Sequence, residues 1–185
     1  MATDAVTEFT YADLAEFPDD NLRREIIDGE LIVTPAPTIR HQDVVAFLTT
    51  ELVLYARAHG GKALPAPADV YFGDTNVVEP DVLFVLAGNV ERIEPAFVRA
   101  APDIVVEVSS PSTRRLELVR KRELYERFGV PEYWFVDLDA DRIEVYRLAD
   151  GRFGSPILLS RVDRLESPLL QGWSNTVDDI LGTED

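Results

Sequence analysis

Glu107 lies inside the stretch APDIVVEVSSPST, in the β-branched run Ile104 to Val108. Such a run is typical of a strand covered on both faces. A carboxylate in that layer must be ionised and paired, protonated, or bound to a cation, because a stranded charge costs several kcal/mol. Asp81 offers the partner. It follows Pro80 and opens a second apolar strand, Val82 to Leu86, and adjacent strands lie about 5 Å apart. Asp103 shares the strand of Glu107 but stands roughly 13 Å away in extended chain, too far to share one ion; capping the strand or binding a nearby amide suits it better. Two carboxylates brought together repel and raise a pKa unless a cation separates them. Oxygen donors in this number favour magnesium or manganese over zinc.

A basic group follows. Glu117, Lys121 and Tyr125 recur every four residues, and Lys121 falls close in helical angle to Leu124 and Phe128. Its side chain is expected to leave from the inward or boundary face. Two acids around a hard cation with a lysine nearby are the parts needed to hydrolyse a phosphodiester. The cation polarises the phosphate and acidifies a water, and the lysine steadies the nucleophile or the developing charge. Tyr125 could orient Lys121 or touch substrate. His41, at the first turn of its helix, is read either as a structural histidine or as a phosphate contact. Arg114 and Arg115 open a basic run that could bind phosphates or face water. No serine–histidine pair suggests a covalent route, and no glycine-rich phosphate loop occurs.

The elements that must position these groups read as a mixture of strands and helices. A short helix is expected over Tyr11 to Phe17, capped by Thr10. EIIDGELIVTP reads as a hairpin about an Asp-Gly turn. A helix from about Ile39 to Ala58 is capped by Thr38, ends at Gly60 and Gly61, and carries the apolar stripe Val44, Val45, Leu48, Leu52 and Tyr55. Strands are expected around Lys62 to Leu64, Val70 to Phe72, Glu79 to Leu86 and through APDIVVEV. A second long helix is expected over about Ser112 to Phe128. Glu132 to Asp137 and Arg142 to Leu148 finish the sheet, the latter alternating as an exposed edge would. Beyond Gly151 two short strands and a final helical turn are expected. The fold class is α/β or α+β.

Composition narrows the setting. At 185 residues and 46% hydrophobic, one domain is expected, with an amino-terminal helical extension over 1–20 and a carboxy-terminal appendage over 155–185. No apolar run approaches the roughly 18 residues of a membrane span, and the amino terminus lacks a secretory pattern. Cysteine is absent, so disulfides and thiol chemistry are excluded. A cytoplasmic location is the expectation. The net charge of -16, from 34 acidic and 18 basic residues, argues against a broad electrostatic footprint for nucleic acid. A local basic patch at Ser112 to Phe128 interrupts the acidic body.

Taken in order, EIIDGELIVTPAP, a histidine, EPDVLFV, APDIVVEVSSPST, a lysine, a tyrosine and GVPEYWFVD resemble the Uma family of restriction-endonuclease-like proteins, within the PD-(D/E)XK nuclease superfamily. The resemblance spans about Tyr11 to Gly154. It implies a mixed sheet flanked by helices and a magnesium- or manganese-dependent nuclease acting on nucleic acid, with DNA the expected substrate. Pro80-Asp81 matches the family's PD and Glu107 its (D/E), with the Val108 carbonyl a further metal ligand. Ser109 stands where the superfamily lysine belongs, and Lys121 matches its displaced counterpart. Glu25 resembles an acid that completes the metal site. A homodimer would present two sites to two strands. Two rival readings are a non-catalytic binding module on the same fold and a small-molecule metal phosphohydrolase.

Overall fold

The computed structural model describes residues 8–18, 20, 22–109 and 115–183. After a one-turn helix, α1 (Tyr11–Leu14), comes the hairpin β1 (Arg23–Ile27) and β2 (Glu30–Thr34). Its turn residues Asp28 and Gly29 have φ of 52° and 74°, the left-handed pair that an Asp-Gly hairpin requires. Helix α2 (Ile39–His59) is capped by the Thr38 hydroxyl, which accepts from the His41 amide. Then follow β3 (Lys62–Pro65), β4 (Val70–Gly73), β5 (Asn76–Val78), β6 (Val82–Val85), β7 (Val98–Arg99) and β8 (Ile104–Val108). A π-helical turn, Leu116–Lys121, runs into α3 (Arg122–Arg127). The chain ends with β9 (Glu132–Asp137), β10 (Arg142–Ala149), β11 (Arg152–Phe153), β12 (Ile157–Ser160), β13 (Arg164–Glu166), β14 (Ser174–Thr176) and α4 (Val177–Leu181).

Two mixed sheets result. The larger has the order β11-β10-β9-β8-β6-β3, with β12 also paired to β10; β8 and β9 are parallel and the connection carrying α3 joins them. The smaller has the order β2-β1-β5-β4-β7. The architecture is the α+β one expected, with departures: β5 and β7 are additional strands, four short strands and not two follow Gly151, and two expected elements differ. The expected helix over Ser112 to Phe128 is, within the described residues, a π-helical turn followed by a short α-helix. Arg142 to Leu148 is not an exposed edge: β10 pairs with β9 on one side and with β11 and β12 on the other, and its centre is buried. The alternation of that strand reflects charged residues satisfied inside the fold, such as Glu144, which accepts from Arg142 and Tyr146.

The alternation of β8 decides where chemistry can occur. Ile104, Val106 and Val108 face a core built with α2, through Val44, Leu48 and Leu52, and with Leu165, Trp173 and Ile180 from the last segment. Val105 faces the opposite layer with Leu83, Phe135, Leu124 and Ile27, between the large sheet, α3 and the small sheet. Glu107 shares that second face by the two-residue period. The β6–β8 register pairs Val82 with Val106 and Leu83 with Val105. Continued by one residue, it sets Asp81 opposite Glu107. Asp103 behaves as the strand cap expected, accepting from the Leu86 amide and the Asn89 side chain at 2.7 Å each.

Candidate active site

Three acids and a lysine converge between the sheets. Glu25 comes from β1, two residues before Ile27 and on the same face; Asp81 precedes β6; Glu107 lies on β8. Glu25 and Glu107 are wholly buried, and Asp81 and Lys121 are each 1% exposed. Lys121 Nζ donates to Glu25 Oε1 at 2.7 Å and to Glu107 Oε1 at 2.9 Å. It is carried by the last residue of the π-helical turn, a widened turn often found where function holds a side chain out of ordinary helical register. The Glu79 amide adds a bond to Glu25 Oε1 at 2.8 Å.

Tyr125, expected to orient Lys121 or touch substrate, does something else. It is fully buried, and its hydroxyl donates to Glu107 Oε1 at 2.5 Å. Lysine and tyrosine therefore satisfy the same carboxylate oxygen. The other oxygen, Oε2, is buried with no hydrogen-bond partner among the described residues, and Glu25 Oε2 is in the same condition. Leaving a buried acceptor bare costs about 1–3 kcal/mol, more if charged.

Asp81 is held differently. Arg23 Nη1 donates to Oδ1 at 2.8 Å, while the Val108 amide donates to Oδ2 at 2.8 Å. His41 Nε2 lies 3.1 Å from Oδ2. Burial would push the Asp81 carboxyl up, but His41, Arg23 and Lys121 outweigh it and hold the pKa down at about 2. Asp81 is thus ionised, so His41 Nε2 carries the proton it shares. Glu107 goes the other way: burial, with the charges of Asp81 and Glu25, pushes it up to about 7 against the pull of Lys121 and Tyr125. Burial and the neighbouring Asp69 and Glu25 raise Glu79 to about 7 as well.

These opposed shifts give a pH signature. Glu107 and Glu79 have folded pKa values above their usual 4.5, so their contribution to stability is complete below about pH 4.5 and is lost as pH rises through about 7. Asp81 contributes above about pH 4 and loses its contribution as pH falls through about 2. In chelator, the free energy of unfolding should therefore decline between pH 5 and pH 8, by up to roughly 2–3 kcal/mol per raised carboxylate, and the melting temperature with it. Calorimetry that finds a flat or rising melting temperature over that range would contradict the burial of these acids.

Glu25, Asp81 and Lys121 of this cluster, with Arg23, His41 and Glu79, line a cleft of about 440 Å³, while Glu107, wholly buried, is not among its lining residues. His41 is 5% exposed and its Nδ1 has no hydrogen-bond partner among the described residues. Of the residues expected from the sequence, Glu25, His41, Asp81 and Lys121 line the cleft, and Glu107, Tyr125 and the Val108 backbone join them through buried hydrogen bonds. Arg115 is exposed and does not line the cleft; Arg114 falls outside the described residues. The rest of the basic patch is largely neutralised. Arg120 pairs with Glu30 at 3.0 Å, Arg127 with Asp28 at 2.7 Å, and Arg122 lies over the Tyr146 ring. Sequence reasoning missed Arg23 and Glu79. Glu79 adjoins the Pro80-Asp81 pair, a signal that was available; Arg23 is one of two adjacent arginines, with nothing local to separate its role from that of Arg24, which pairs with Asp20.

Among the described residues, no three histidine or acidic side chains are already gathered closely enough to hold a cation; the Lys121 ammonium lies between Glu25 and Glu107 instead. The donor chemistry nevertheless fits a hard divalent ion, because two buried carboxylate oxygens have no hydrogen-bond partner among the described residues. No described helix is long and apolar enough to cross a membrane.

No curated protein matches the chain. Among solved structures, it is similar to a "putative nuclease belonging to DUF820" from Anabaena variabilis ATCC 29413, at 18% identity and a TM-score of 0.78, over 94% of this chain and 97% of that one. That likeness establishes a shared fold. The sequence model of Uma2, described as "Putative restriction endonuclease", matches residues 10–178, which include every residue of the acidic cluster, and the chain belongs to this family of nuclease-like proteins.

Proposed function

We propose that the chain is a divalent-metal-dependent endonuclease that hydrolyses phosphodiester bonds of nucleic acid, with DNA the favoured substrate. The observation that carries this reading is the pair of buried, partnerless oxygens on Glu25 and Glu107, beside ionised Asp81 and the Lys121 amine. Asp81, Glu107 and Glu25, with the Val108 carbonyl, would hold magnesium or manganese. A bound divalent ion would supply a water of lowered pKa and a charge to polarise the phosphate. Lys121 keeps a positive charge between the carboxylates and supports the attacking water. Tyr125 fixes the Glu107 carboxylate so that the oxygen left bare is always the same one. His41 and the Val108 amide hold Asp81 in place at Oδ2, and Arg23 bonds its other oxygen. A two-fold dimer would offer two such sites to two strands.

A second reading, a small-molecule phosphohydrolase using the same cluster, is favoured by the net charge of -16 and by the pairing of Arg120 and Arg127 with acids. Supercoiled plasmid separates the two. The endonuclease reading expects nicked and linear products with magnesium or manganese and none with chelator. Turnover of p-nitrophenyl phosphate without nicking would transfer the conclusion to the second reading. Absence of both, together with no rise in melting temperature on adding the ion, would overturn the metal site itself.

A further inference from the structure

Three cationic or imidazole side chains line the cleft, and they are not equivalent. Lys121 is enclosed and bonded to two carboxylates, so it cannot turn to a substrate without leaving them. Arg23 is 24% exposed and makes one hydrogen bond, from Nη1 to Asp81. Its Nε lies 4.0 Å from Glu79 Oε2, beyond hydrogen-bond reach, and its remaining N–H groups make no hydrogen bond among the described residues. A guanidinium fixed at one corner with donors to spare is suited to a phosphate, whose oxygens match its fork. The first turn of α2, a helix of 21 residues, borders the same cleft through His41 and Gln42. Its amino-terminal dipole favours a negative ligand. His41 Nδ1, on a side chain more than nine-tenths buried in the cleft wall, has no hydrogen-bond partner among the described residues, a second sign that a ligand completes this corner.

We infer that Arg23, with the first turn of α2 and His41, forms a subsite that grips a phosphate group of a nucleotide beside the acidic cluster. The inference rests on the nuclease reading of the same cleft and assigns the substrate-binding charge to Arg23 and not to the basic run after β8. Because Glu25, Glu79 and Asp81 also line the cleft, the phosphate binds when a divalent ion offsets their charge. Asp81 serves two ends: it anchors Arg23 through Oδ1 and remains held at Oδ2 by Val108 and His41.

Calorimetric titration with thymidine 5′-monophosphate, and with thymidine as the phosphate-free control, in saturating magnesium, tests this. The monophosphate should bind the unmodified protein at least tenfold more tightly than thymidine. Arg23→Gln should weaken the monophosphate by about 10- to 100-fold, the loss of hydrogen bonds to a charged group. It should leave the affinity for magnesium alone within about threefold, since Asp81 keeps its other two donors. An unchanged affinity for the monophosphate overturns the inference, as does a parallel collapse of magnesium binding, which would make Arg23 only a prop for Asp81. If Arg23→Gln does not fold, Arg23→Lys keeps the charge near Asp81 without the fork; weakened monophosphate binding at a near-native melting temperature supports the subsite, and unchanged binding overturns it. Plasmid nicking by a protein that binds no monophosphate would remove the subsite and leave the nuclease reading intact.

Discussion

Glu107→Gln should reduce magnesium-dependent plasmid cleavage by about three orders of magnitude or more, while leaving the fold in place. The expected loss follows from the role proposed for Oε2. A ligand carboxylate that contributes several kcal/mol of charge stabilisation corresponds to about 10³-fold in rate, at 1.36 kcal/mol per factor of ten. The expected stability follows from the bonds to Oε1. Glutamine keeps an oxygen there for Lys121 and Tyr125, and it removes one of three crowded negative charges. Its stability at neutral pH should stay within about 1 kcal/mol of the parent, because repulsion from Asp81 and Glu25 is relieved as the pairing with Lys121 weakens. The rise in melting temperature on adding magnesium should disappear. Cleavage within tenfold of the parent, with the magnesium response retained, would exclude Glu107 as a ligand.

The meeting of Glu107 with Asp81 was legible because it rests on short-range rules. A β-branched run dictates a strand, the two-residue period assigns Glu107 a face, and two apolar strands of equal character tend to pair. The register of β6 with β8 then places the acids opposite each other without further help. Lys121 was legible for a related reason, its angular proximity to Leu124. The mechanism behind that placement was not. Residues 116–121 wind as a π-helical turn, and the four-residue spacing from Lys121 to Tyr125 carries across because α3 begins immediately after it. The small sheet was hidden. Val98–Arg99 and Asn76–Val78 are strands of two and three residues, too short for periodicity to register, and they exist because β1 and β4 supply edges to pair with. Arg23 was hidden by the same cause. Its partner Asp81 is 58 residues away, and only the packing of the small sheet against the large one brings β1 to the head of β6. Glu25 reaches the cluster by that route too, which is why family resemblance suggested it and residue patterns did not.

The basic run shows the opposite case, a signal that the structure partly absorbs. Arg120 and Arg127 belong to a run that could bind phosphates or face water, and each meets an acid at the β1–β2 hairpin, Glu30 and Asp28. Surface pairs of this kind contribute little stability, but they leave less positive surface for a nucleic-acid backbone. A chain with net charge -16 that works on a polyanion must concentrate its attraction locally. On the proposed reading, the cleft would do so with a divalent cation held by the acidic cluster and with the guanidinium of Arg23.

Lys121→Met tests the opposing half of the same electrostatic arrangement. Methionine fills nearly the same volume, so the loss is almost purely one of charge and hydrogen bonds. Glu25 and Glu107 would then face each other in a wholly buried layer with no ammonium between them. Removing one partner from a buried ion pair costs about 3–5 kcal/mol, which for a chain of this size lowers the melting temperature by roughly 6–20 °C. Two interventions should recover part of that loss for different physical reasons. Lowering the pH to about 5 protonates Glu107, whose pKa is already raised to about 7, and so removes the uncompensated charge. Adding magnesium at pH 8 supplies a cation to the oxygens that the ammonium left. The variant should therefore show a larger stabilisation by magnesium than the parent does, even though its cleavage is lost. A destabilisation below about 1 kcal/mol in chelator at pH 8 would place the ammonium in water and separate Lys121 from the carboxylates.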